Sequence, residues 1–149
     1  MTILLPAVHA REIDLHGESA YPEEGAGVLL GLIENGDLRR VRRTLPLPNR
    51  WEDETRTRRY RIDPLDLLDA EEKAEEDGLT ILGIYHSHPD HPPRPSDFDL
   101  ERALPFYTYV ITEVRSGGAG KSRAWRLAED RGRFEEESLT VVPDQMEDR

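Results

Sequence analysis

Two histidines separated by one residue open the part of this chain best suited to chemistry. His86 and His88 stand at the end of an apolar run, Leu79 to Tyr85, which predicts a buried strand. Side chains of a strand alternate between its two faces, so both imidazoles should point to the same side. Two imidazole nitrogens on one side of a strand can bind a single zinc ion if a third ligand completes the set.

A carboxylate that could supply the third ligand follows a connection stiffened by four prolines, Pro89, Pro92, Pro93 and Pro95. A stiff connection helps because a metal ligand must be delivered to within about 0.2 Å. Ser96 is the predicted N-cap of a short helix running to about Ala103, and Asp99 lies in its first turn. Asp99 can therefore face the strand end and complete a His2Asp set, which leaves the fourth tetrahedral position for water.

Further side chains able to bind metal lie near this segment and near the N-terminus. Asp90, His91 and Asp97 belong to the proline-rich region, and we interpret them as loop surface that stays an alternative source of the third ligand. His9 and His16 fall on the first predicted helix and are interpreted as ordinary helix-surface residues.

Hydrolysis at such a site needs a second group besides the metal. Zinc lowers the pKa of bound water to about 7, which provides hydroxide at neutral pH. A base must also take the proton of the water and return it to the departing amine. His86, His88 and Asp99 would be committed to the metal, so another carboxylate must serve. The residue pattern alone does not choose among the 31 acidic residues.

The elements that must position these residues alternate between strands and helices. The predicted elements are a helix from about Ala7 to Ala20, strands Gly27 to Ile33 and Leu38 to Leu45 joined by an Asn35-Gly36 turn, a short strand near Tyr60 to Ile62, a helix from Asp63-Pro64 to Gly78, the strand Leu79 to Tyr85, and strands at Phe106 to Val114, Ser122 to Leu127 and Leu139 to Val142. The segment between the strands at Val114 and Ser122 should be a flexible turn. We therefore expect a mixed α/β (α+β) fold with helices packed on a central sheet.

Length and composition restrict the class of protein. The 149 residues suit one domain spanning 1–149, with residues 143–149 as a flexible tail. The net charge of −11 argues against nucleic-acid binding, which normally shows a basic excess. No apolar run approaches the ~20 residues of a membrane helix. The chain has no cysteine, which excludes thiolate ligands and fits a reducing cytoplasm.

Arginines depart from the acidic average in two clusters. The first contains Arg39, Arg40, Arg42 and Arg43, and the second contains Arg50, Arg56, Arg58, Arg59 and Arg61. One interpretation is solvated strand and loop surface. The other is a basic rim that guides an acidic protein partner.

The spacing of the chemical residues resembles a known motif. The run His86-Ser87-His88-Pro89, followed by six residues, Ser96, two residues and Asp99, matches the pattern H-x-H-P-x6-S-x2-D of the JAMM (MPN+) metallopeptidases. Upstream, Glu24 with two glycines at the offsets of Gly27 and Gly31 resembles the family's E-x2-G-x3-G segment. The resemblance covers the chain roughly from residue 7 to residue 127.

The resemblance implies the JAMM/MPN fold, which is cytidine-deaminase-like, with a curved central β-sheet flanked by helices. It implies zinc on His86, His88 and Asp99, with Glu24 as the general acid/base. It also implies that Ser96 donates its hydroxyl to the oxyanion of the tetrahedral intermediate. That role and the helix cap inferred above would compete for one side chain.

The resemblance further implies a zinc-dependent metallopeptidase that cleaves a peptide or isopeptide bond after the Gly-Gly tail of a ubiquitin-like protein. The short chain looks like the prokaryotic branch, which processes ubiquitin-like sulfur-carrier proteins. A Gly-Gly tail must lie extended in a narrow groove, and the segment Arg50 to Arg61 is the candidate for its wall. Dimers occur among relatives, so a homodimer is one expectation.

Three other functions compete with this interpretation. A catalytically silent MPN scaffold would typically lack the metal ligands, whereas every catalytic position is filled here. A zinc amidohydrolase of small amide substrates would use the same site without a protein partner. A RadC-like DNA-associated protein is disfavoured by the acidic balance. Zinc content separates the scaffold from the enzymes, and a Gly-Gly-extended protein compared with a short peptide separates the two hydrolases.

Overall fold

Seven strands form one closed sheet in the computed structural model, which describes residues 2–52, 54–57, 59–130 and 132–144. The strands are β1 (Thr2–Pro6), β2 (Ala26–Glu34), β3 (Leu38–Leu47), β4 (Thr80–Pro89), β5 (Thr108–Arg115), β6 (Gly118–Leu127) and β7 (Phe134–Val142). The helices are α1 (Ala7–Ala20), α2 (Pro64–Glu76) and α3 (Asp97–Arg102), and a 3-10 turn spans Glu54–Thr57.

The strand order places β4 near the middle of the sheet. The order is β1-β3-β2-β4-β5-β6-β7, and β1 also pairs with β7, which closes the sheet into a barrel. β4 runs antiparallel to β2 and parallel to β5. The expected mixed fold with a curved central sheet and helices is confirmed. The closure was not predicted, because the sequence analysis assigned no strand before α1.

Successive residues of β2 pack into different parts of the core. Val28 and Leu30 belong to a cluster with Ala70 of α2, whereas Leu29 between them belongs to a cluster with Ile13 of α1. Since strand side chains alternate between faces, α1 and α2 cover opposite faces of the sheet. Both faces of β2 are therefore buried, which explains the continuous apolar run in its sequence.

Local signals set the ends of the helices and of the first hairpin. α1 has the predicted bounds, and the Asp63 carboxylate caps α2 by accepting a hydrogen bond of 2.8 Å from the Leu65 amide. Gly78 follows α2 at φ 70°, a left-handed conformation that glycine adopts without steric cost. Glu34 pairs with Leu38 across the Asn-Gly turn, as predicted.

Three element predictions were wrong in part. The segment Tyr60 to Ile62 is not a strand and has no regular secondary structure. The predicted flexible turn before Ser122 is largely strand, because β6 begins at Gly118 and pairs with β5 from there. β4 continues to Pro89, so both histidines lie within the strand and not beyond its end.

The predicted tail is described only at its start. The Asp144 carboxylate accepts a hydrogen bond of 2.8 Å from the amide of Val8 at the beginning of α1. The remainder of the tail, residues 145–149, lies outside the described residues. Within the described ranges, no helix has the length and apolar character needed to cross a membrane.

Candidate active site

The end of β4 places His86 and His88 on one face of the sheet. Both side chains are buried, and their ring centroids are 5.1 Å apart. His86 pairs with Ala26 of β2 on one side and with Ile111 of β5 on the other. The sheet pairs with β4 on both sides at His86, whereas His88 pairs with Glu113 of β5 alone, so the backbone of each histidine is held by strand pairing.

Asp99 reaches the same point from the first turn of α3. Its Oδ2 lies 3.1 Å from His88 Nε2, and its Oδ1 lies 3.8 Å from His86 Nε2. Burial alone would raise the pKa of Asp99, but the charges of the two histidines and the hydrogen bond from His88 outweigh burial and lower it to about 2. Asp99 is therefore ionised at neutral pH, as a carboxylate ligand must be.

Ser96 connects α3 to this point through a capping box. Its Oγ accepts a hydrogen bond of 3.1 Å from the Asp99 amide, and its own amide donates to Asp99 Oδ2 at 2.9 Å. A hydroxyl has one donor and two acceptor positions. The cap uses Ser96 only as an acceptor, so the hydroxyl proton can still be donated. The cap therefore leaves the hydroxyl proton unused.

Glu24 approaches the histidines from the start of β2. Its Oε1 lies 3.4 Å from His86 Nδ1, and its side chain is only 3% exposed. One ligand atom from each of Glu24, His86 and His88 can be chosen so that all three lie within 4.8 Å of one another. Glu24, His86, His88 and Asp99 thus form one buried group, the site cluster, from segments far apart in the chain.

Several buried atoms of the site cluster make no hydrogen bond within the described residues. Both ring nitrogens of His86 and Oε1 of Glu24 lack a hydrogen-bond partner among the described residues. Buried polar atoms are nearly always hydrogen-bonded, so three such atoms together require an explanation. Imidazole nitrogens and carboxylate oxygens are metal ligands. The residues present therefore fit a metal site.

The two histidines are oriented by different neighbours. His88 Nδ1 lies 2.8 Å from the carbonyl oxygen of Pro92, which places a proton on Nδ1, so Nε2, which faces Asp99, is the nitrogen that can bind a metal. Burial alone would lower the pKa of His88, but the hydrogen bond and charge of Asp99 outweigh burial and raise it. His86 is stacked against the ring of Tyr60, with centroids 4.4 Å apart and planes 28° apart.

Tyr60 is a site residue that the sequence analysis missed. Its segment was predicted as a short strand, and no local pattern marks an aromatic ring that must cover a histidine from another element. Burial raises the pKa of Tyr60 well above its ordinary value, so the phenol stays protonated. The ring covers one face of the His86 imidazole.

An open cleft of about 590 Å³ reaches the site cluster. It is lined by Glu24, Arg59, His88, His91, Pro92, Arg94, Pro95, Ser96, Asp97 and Phe98. Among the described residues of the candidate wall Arg50 to Arg61, only Arg59 belongs to this lining. Arg50 and Arg61 instead pair with Asp66 at 2.9 Å and Asp63 at 3.8 Å, near the start of α2. Arg58 lies outside the described residues.

Aromatic contacts hold the candidate wall Arg50 to Arg61, the arginine-rich segment, against α3. Trp51 meets the ring of Phe98 edge-on, with centroids 5.2 Å apart. The guanidinium groups of Arg59 and Arg102 lie 4.7 Å and 5.0 Å from the Phe98 ring, within the range of cation–π attraction. One side of the cleft mouth is therefore a packed surface of rings and cations.

The alternative ligands make other contacts or lie at the rim of the cleft. Asp90 accepts a hydrogen bond of 2.8 Å from the Tyr21 hydroxyl. His91 and Asp97 are exposed residues of the cleft rim. His9 pairs with Glu12 at 2.7 Å, near the start of α1.

The interpretation of His16 as an ordinary surface residue was wrong. Its Nδ1 lies 2.7 Å from the hydroxyl of Tyr85, and burial lowers the pKa of His16. Tyr85 is buried directly before His86 on β4, so the contact ties α1 to the strand that carries the histidines.

Packing explains why the segment after Glu24 contains glycines. A Cβ on Gly27 would lie 2.4 Å from the ring of Tyr85, and a Cβ on Gly31 would lie 2.0 Å from the carbonyl oxygen of Arg40. Both distances are far below van der Waals contact. The spacing of glycines behind Glu24 thus follows from how closely β2 approaches its neighbours, and not from catalysis.

Comparison with known proteins gives matches over most of the chain. The family model of prokaryotic homologs of the JAB domain (Prok-JAB) matches residues 6–128. A Thermus thermophilus protein named "Probable TtuB-protein conjugate cleaving protease" is 36% identical over 111 residues, which cover 74% of this chain and 70% of that protein. A Pyrococcus furiosus protein named "Desampylase" is 34% identical over 132 residues, which cover 86% of this chain and 83% of that protein.

A solved structure agrees with the fold. The solution structure of a protein from Salinibacter ruber superimposes with a TM-score of 0.74 at 43% sequence identity. The superposition covers 98% of this chain and 94% of the other. Helices and strands are thus shared over nearly the whole length.

Proposed function

This chain belongs to the family of prokaryotic homologs of the JAB domain, and from that membership we propose a zinc metallopeptidase that cleaves after the Gly-Gly tail of a ubiquitin-like protein. The observation that carries the proposal is the site cluster. Its buried nitrogen and oxygen atoms lie beside an open cleft, and three of them have no hydrogen-bond partner within the described residues.

We assign His86, His88 and Asp99 as the metal ligands and Glu24 as the general acid/base. Asp99 faces Nε2 of both histidines, whereas the His86 nitrogen paired with Glu24 is Nδ1. Because Nδ1 and Nε2 point to opposite sides of an imidazole ring, Glu24 and Asp99 approach His86 from different directions. This arrangement supports giving the two carboxylates different roles.

Zinc, when bound, would supply a Lewis acid that polarises the scissile carbonyl and lowers the pKa of a water molecule. Glu24 lines the cleft with an unpartnered Oε1, so its carboxylate can accept the proton of the attacking water. The same carboxyl group then returns that proton to the departing amine. Ser96 can donate its hydroxyl to the carbonyl oxygen as negative charge develops there.

The substrate class is supported by the relatives. The Thermus thermophilus and Pyrococcus furiosus proteins bear the names of a conjugate cleaving protease and a desampylase. We extend that class to this chain as a ubiquitin-like sulfur-carrier protein, with its Gly-Gly tail in the cleft beside Arg59. A single domain over residues 1–149, a cytoplasmic location and a homodimer also stay proposals.

The test combines metal content with cleavage of a ubiquitin-like carrier extended beyond Gly-Gly. We expect about one zinc per chain, cleavage after Gly-Gly, and loss of cleavage with a chelator. Glu24→Gln should keep the zinc and lose about 100- to 10,000-fold in kcat, because only the base is removed. Glu23→Gln, a substitution of the exposed neighbouring carboxylate, is the matched control and should keep the wild-type rate.

Each other outcome contradicts a defined part of the proposal. A fully active Glu24→Gln variant would overturn the base assignment. Zinc with cleavage of short amides only would favour the small-amide hydrolase. A chain that binds no zinc and cleaves nothing would be a scaffold.

A further inference from the structure

Four hydrogen bonds fix the backbone of Glu24 and Gly25. The Glu24 amide donates to the Arg56 carbonyl at 2.7 Å, and the Glu24 carbonyl accepts from Asn49 Nδ2 at 3.0 Å. The Gly25 amide donates to Ser87 Oγ at 2.9 Å, and the Gly25 carbonyl accepts from the Ser87 amide at 3.0 Å. Every backbone donor and acceptor of the two residues is therefore satisfied.

The side chain of Glu24 is held in a different way. Its Oε1 has no hydrogen-bond partner among the described residues. The location of the carboxylate therefore depends on the backbone from which it extends. A base that must meet a water molecule gains from this arrangement, because the carboxylate stays free for a proton while its origin is fixed.

Asn49 supplies a bond that reaches Glu24 from another segment. Its Nδ2 donates to the carbonyls of Glu24 and Arg59, both at 3.0 Å. Its Oδ1 accepts from the amides of Trp51 at 3.0 Å and Arg61 at 3.1 Å. A primary amide offers two donor hydrogens and two acceptor lone pairs, so all its capacity is used and the group has one orientation.

The two carbonyls that Asn49 binds belong to residues that line the cleft. Glu24 carries the proposed base. Arg59 carries the guanidinium that lies against the Phe98 ring at one side of the cleft mouth. Asn49 itself does not line the cleft and does not contact a proposed ligand. Its amide therefore sets the distance between the base and the cleft wall without taking part in the chemistry.

We propose that Asn49 is a positioning residue that holds Glu24 and Arg59 in register across the cleft. The inference rests on the proposed function, since it assumes that Glu24 is the base. If the Asn49 amide is lost, the Glu24 amide still donates to the Arg56 carbonyl and Gly25 keeps both bonds with Ser87, but the Glu24 carbonyl can shift on the side of Asn49. Displacement of a catalytic group by about 1 Å costs on the order of 100-fold in rate.

The variant Asn49→Asp keeps the size of the side chain and the acceptor Oδ1, and it replaces the donor Nδ2 with a second carboxylate oxygen. We expect kcat for the Gly-Gly-extended carrier to fall about 10- to 100-fold, with a smaller change in KM. Zinc content and the absorption spectrum of the cobalt-substituted protein should match the wild type, because Asn49 does not touch the proposed ligands. Asn35→Asp makes the same chemical change in the exposed turn between β2 and β3 and should have no effect.

A double-mutant cycle separates positioning from a merely structural role. If Asn49 acts through Glu24, Asn49→Asp should not lower the residual rate of Glu24→Gln further. If the two losses multiply instead, Asn49 acts by another route and the inference is overturned. Should Asn49→Asp fail to fold, Asn49→Ser, which adds no charge, is measured in the same cycle.

The failure of this inference differs from the failure of the proposed function. If Glu24→Gln is inactive and the folded Asn49 variants keep the wild-type kcat, only the positioning role is overturned. If Glu24→Gln is fully active, the base assignment fails, and the positioning role fails with it. Loss of zinc or a changed cobalt spectrum in a folded Asn49 variant would show an effect on the ligands and would also overturn it.

Discussion

Two groups of buried polar side chains lie along the sheet, and they are built in opposite ways. In the first, the ion-pair network, Glu137 accepts hydrogen bonds from Arg126 Nη2 at 2.6 Å and from the Thr108 hydroxyl at 2.7 Å. Arg39 donates to the carbonyl of Leu82 at 2.7 Å. These contacts join β3, β4, β5, β6 and β7.

The network balances its charges internally. Asp37 forms ion pairs with both Arg39 and Arg126. Burial and the nearby charge of Arg126 lower the pKa of Arg39, so the carboxylates of Asp37 and Glu137 are needed to keep two buried arginines together. Arg126 Nε has no hydrogen-bond partner among the described residues, but the other polar atoms of that guanidinium are bonded.

The site cluster is not hydrogen-bonded as completely. Its member His86 lies four residues after Leu82 on β4. Both ring nitrogens of His86 and Oε1 of Glu24 lack hydrogen-bond partners within the described part of the chain. A buried polar group without a hydrogen bond lowers the stability of the fold. Such groups are therefore expected mainly at functional sites. The ion-pair network and the site cluster are both buried and charged. They differ in how completely their buried polar atoms are hydrogen-bonded, and this difference separates a structural network from a candidate metal site.

The largest expected effect comes from His86→Leu. This change removes a proposed ligand, so metal content should fall close to zero and kcat/KM should fall at least about 1,000-fold. The metal-free protein should lose less than about 1 kcal/mol of unfolding free energy, because no hydrogen bond is removed. Metal analysis, kinetics and urea unfolding with a chelator measure these effects. A large loss of metal-free stability would break the comparison.

In the ion-pair network, Glu137→Ala should act on stability and not on chemistry. Removal of Glu137 leaves the buried Arg126 without one of its two carboxylate partners and should cost about 3–5 kcal/mol of unfolding free energy. The rate per folded, zinc-loaded molecule should stay at the wild-type value. Glu137→Gln keeps the acceptor for Thr108 and is the graded control. Equal stability of Glu137→Ala and wild type would contradict the structural role of the network.

Ser96 caps α3 and is also the proposed oxyanion donor, so its variants sharpen the comparison. Ser96→Ala should cost about 1 kcal/mol through the lost helix cap. If the hydroxyl also donates to the oxyanion, kcat should fall about 100- to 1,000-fold. Ser96→Thr keeps both the cap and the donor and should restore most of each. Thermal unfolding and steady-state kinetics separate the two; a stability loss with an unchanged kcat would leave Ser96 as a cap alone.

Local chemistry explains which predictions of the fold succeeded. Asp63 and Gly78 act within one turn of α2, and the Asn-Gly turn acts within one hairpin, so each can be recognised from neighbouring residues. β1 could not be recognised in this way. It has only five residues and is stabilised by parallel pairing with β3 and β7, which are distant in the chain.

The same distinction applies within the site. The strand period of two predicts that His86 and His88 share a face, and the N-cap at Ser96 predicts that Asp99 lies in the first turn of α3. The positions of Tyr60 and Asn49 carry no such local signal. Tyr60 reaches His86 by stacking from a segment without regular structure, and Asn49 reaches Glu24 through its amide, so both depend on how the arginine-rich segment packs.

The sequence by itself determined the types of the site residues and their spacing, because neighbouring residues on one strand or in one helical turn have a fixed geometry. The residue pattern alone did not choose among the 31 acidic residues, and the tertiary structure brings Glu24 to Nδ1 of His86. Pairing of β2 with β4 sets Ala26 opposite His86, and that register carries Glu24 to the histidine. The tertiary structure also decided which buried atoms make no hydrogen bond, because hydrogen bonds between distant segments form only when those segments pack together.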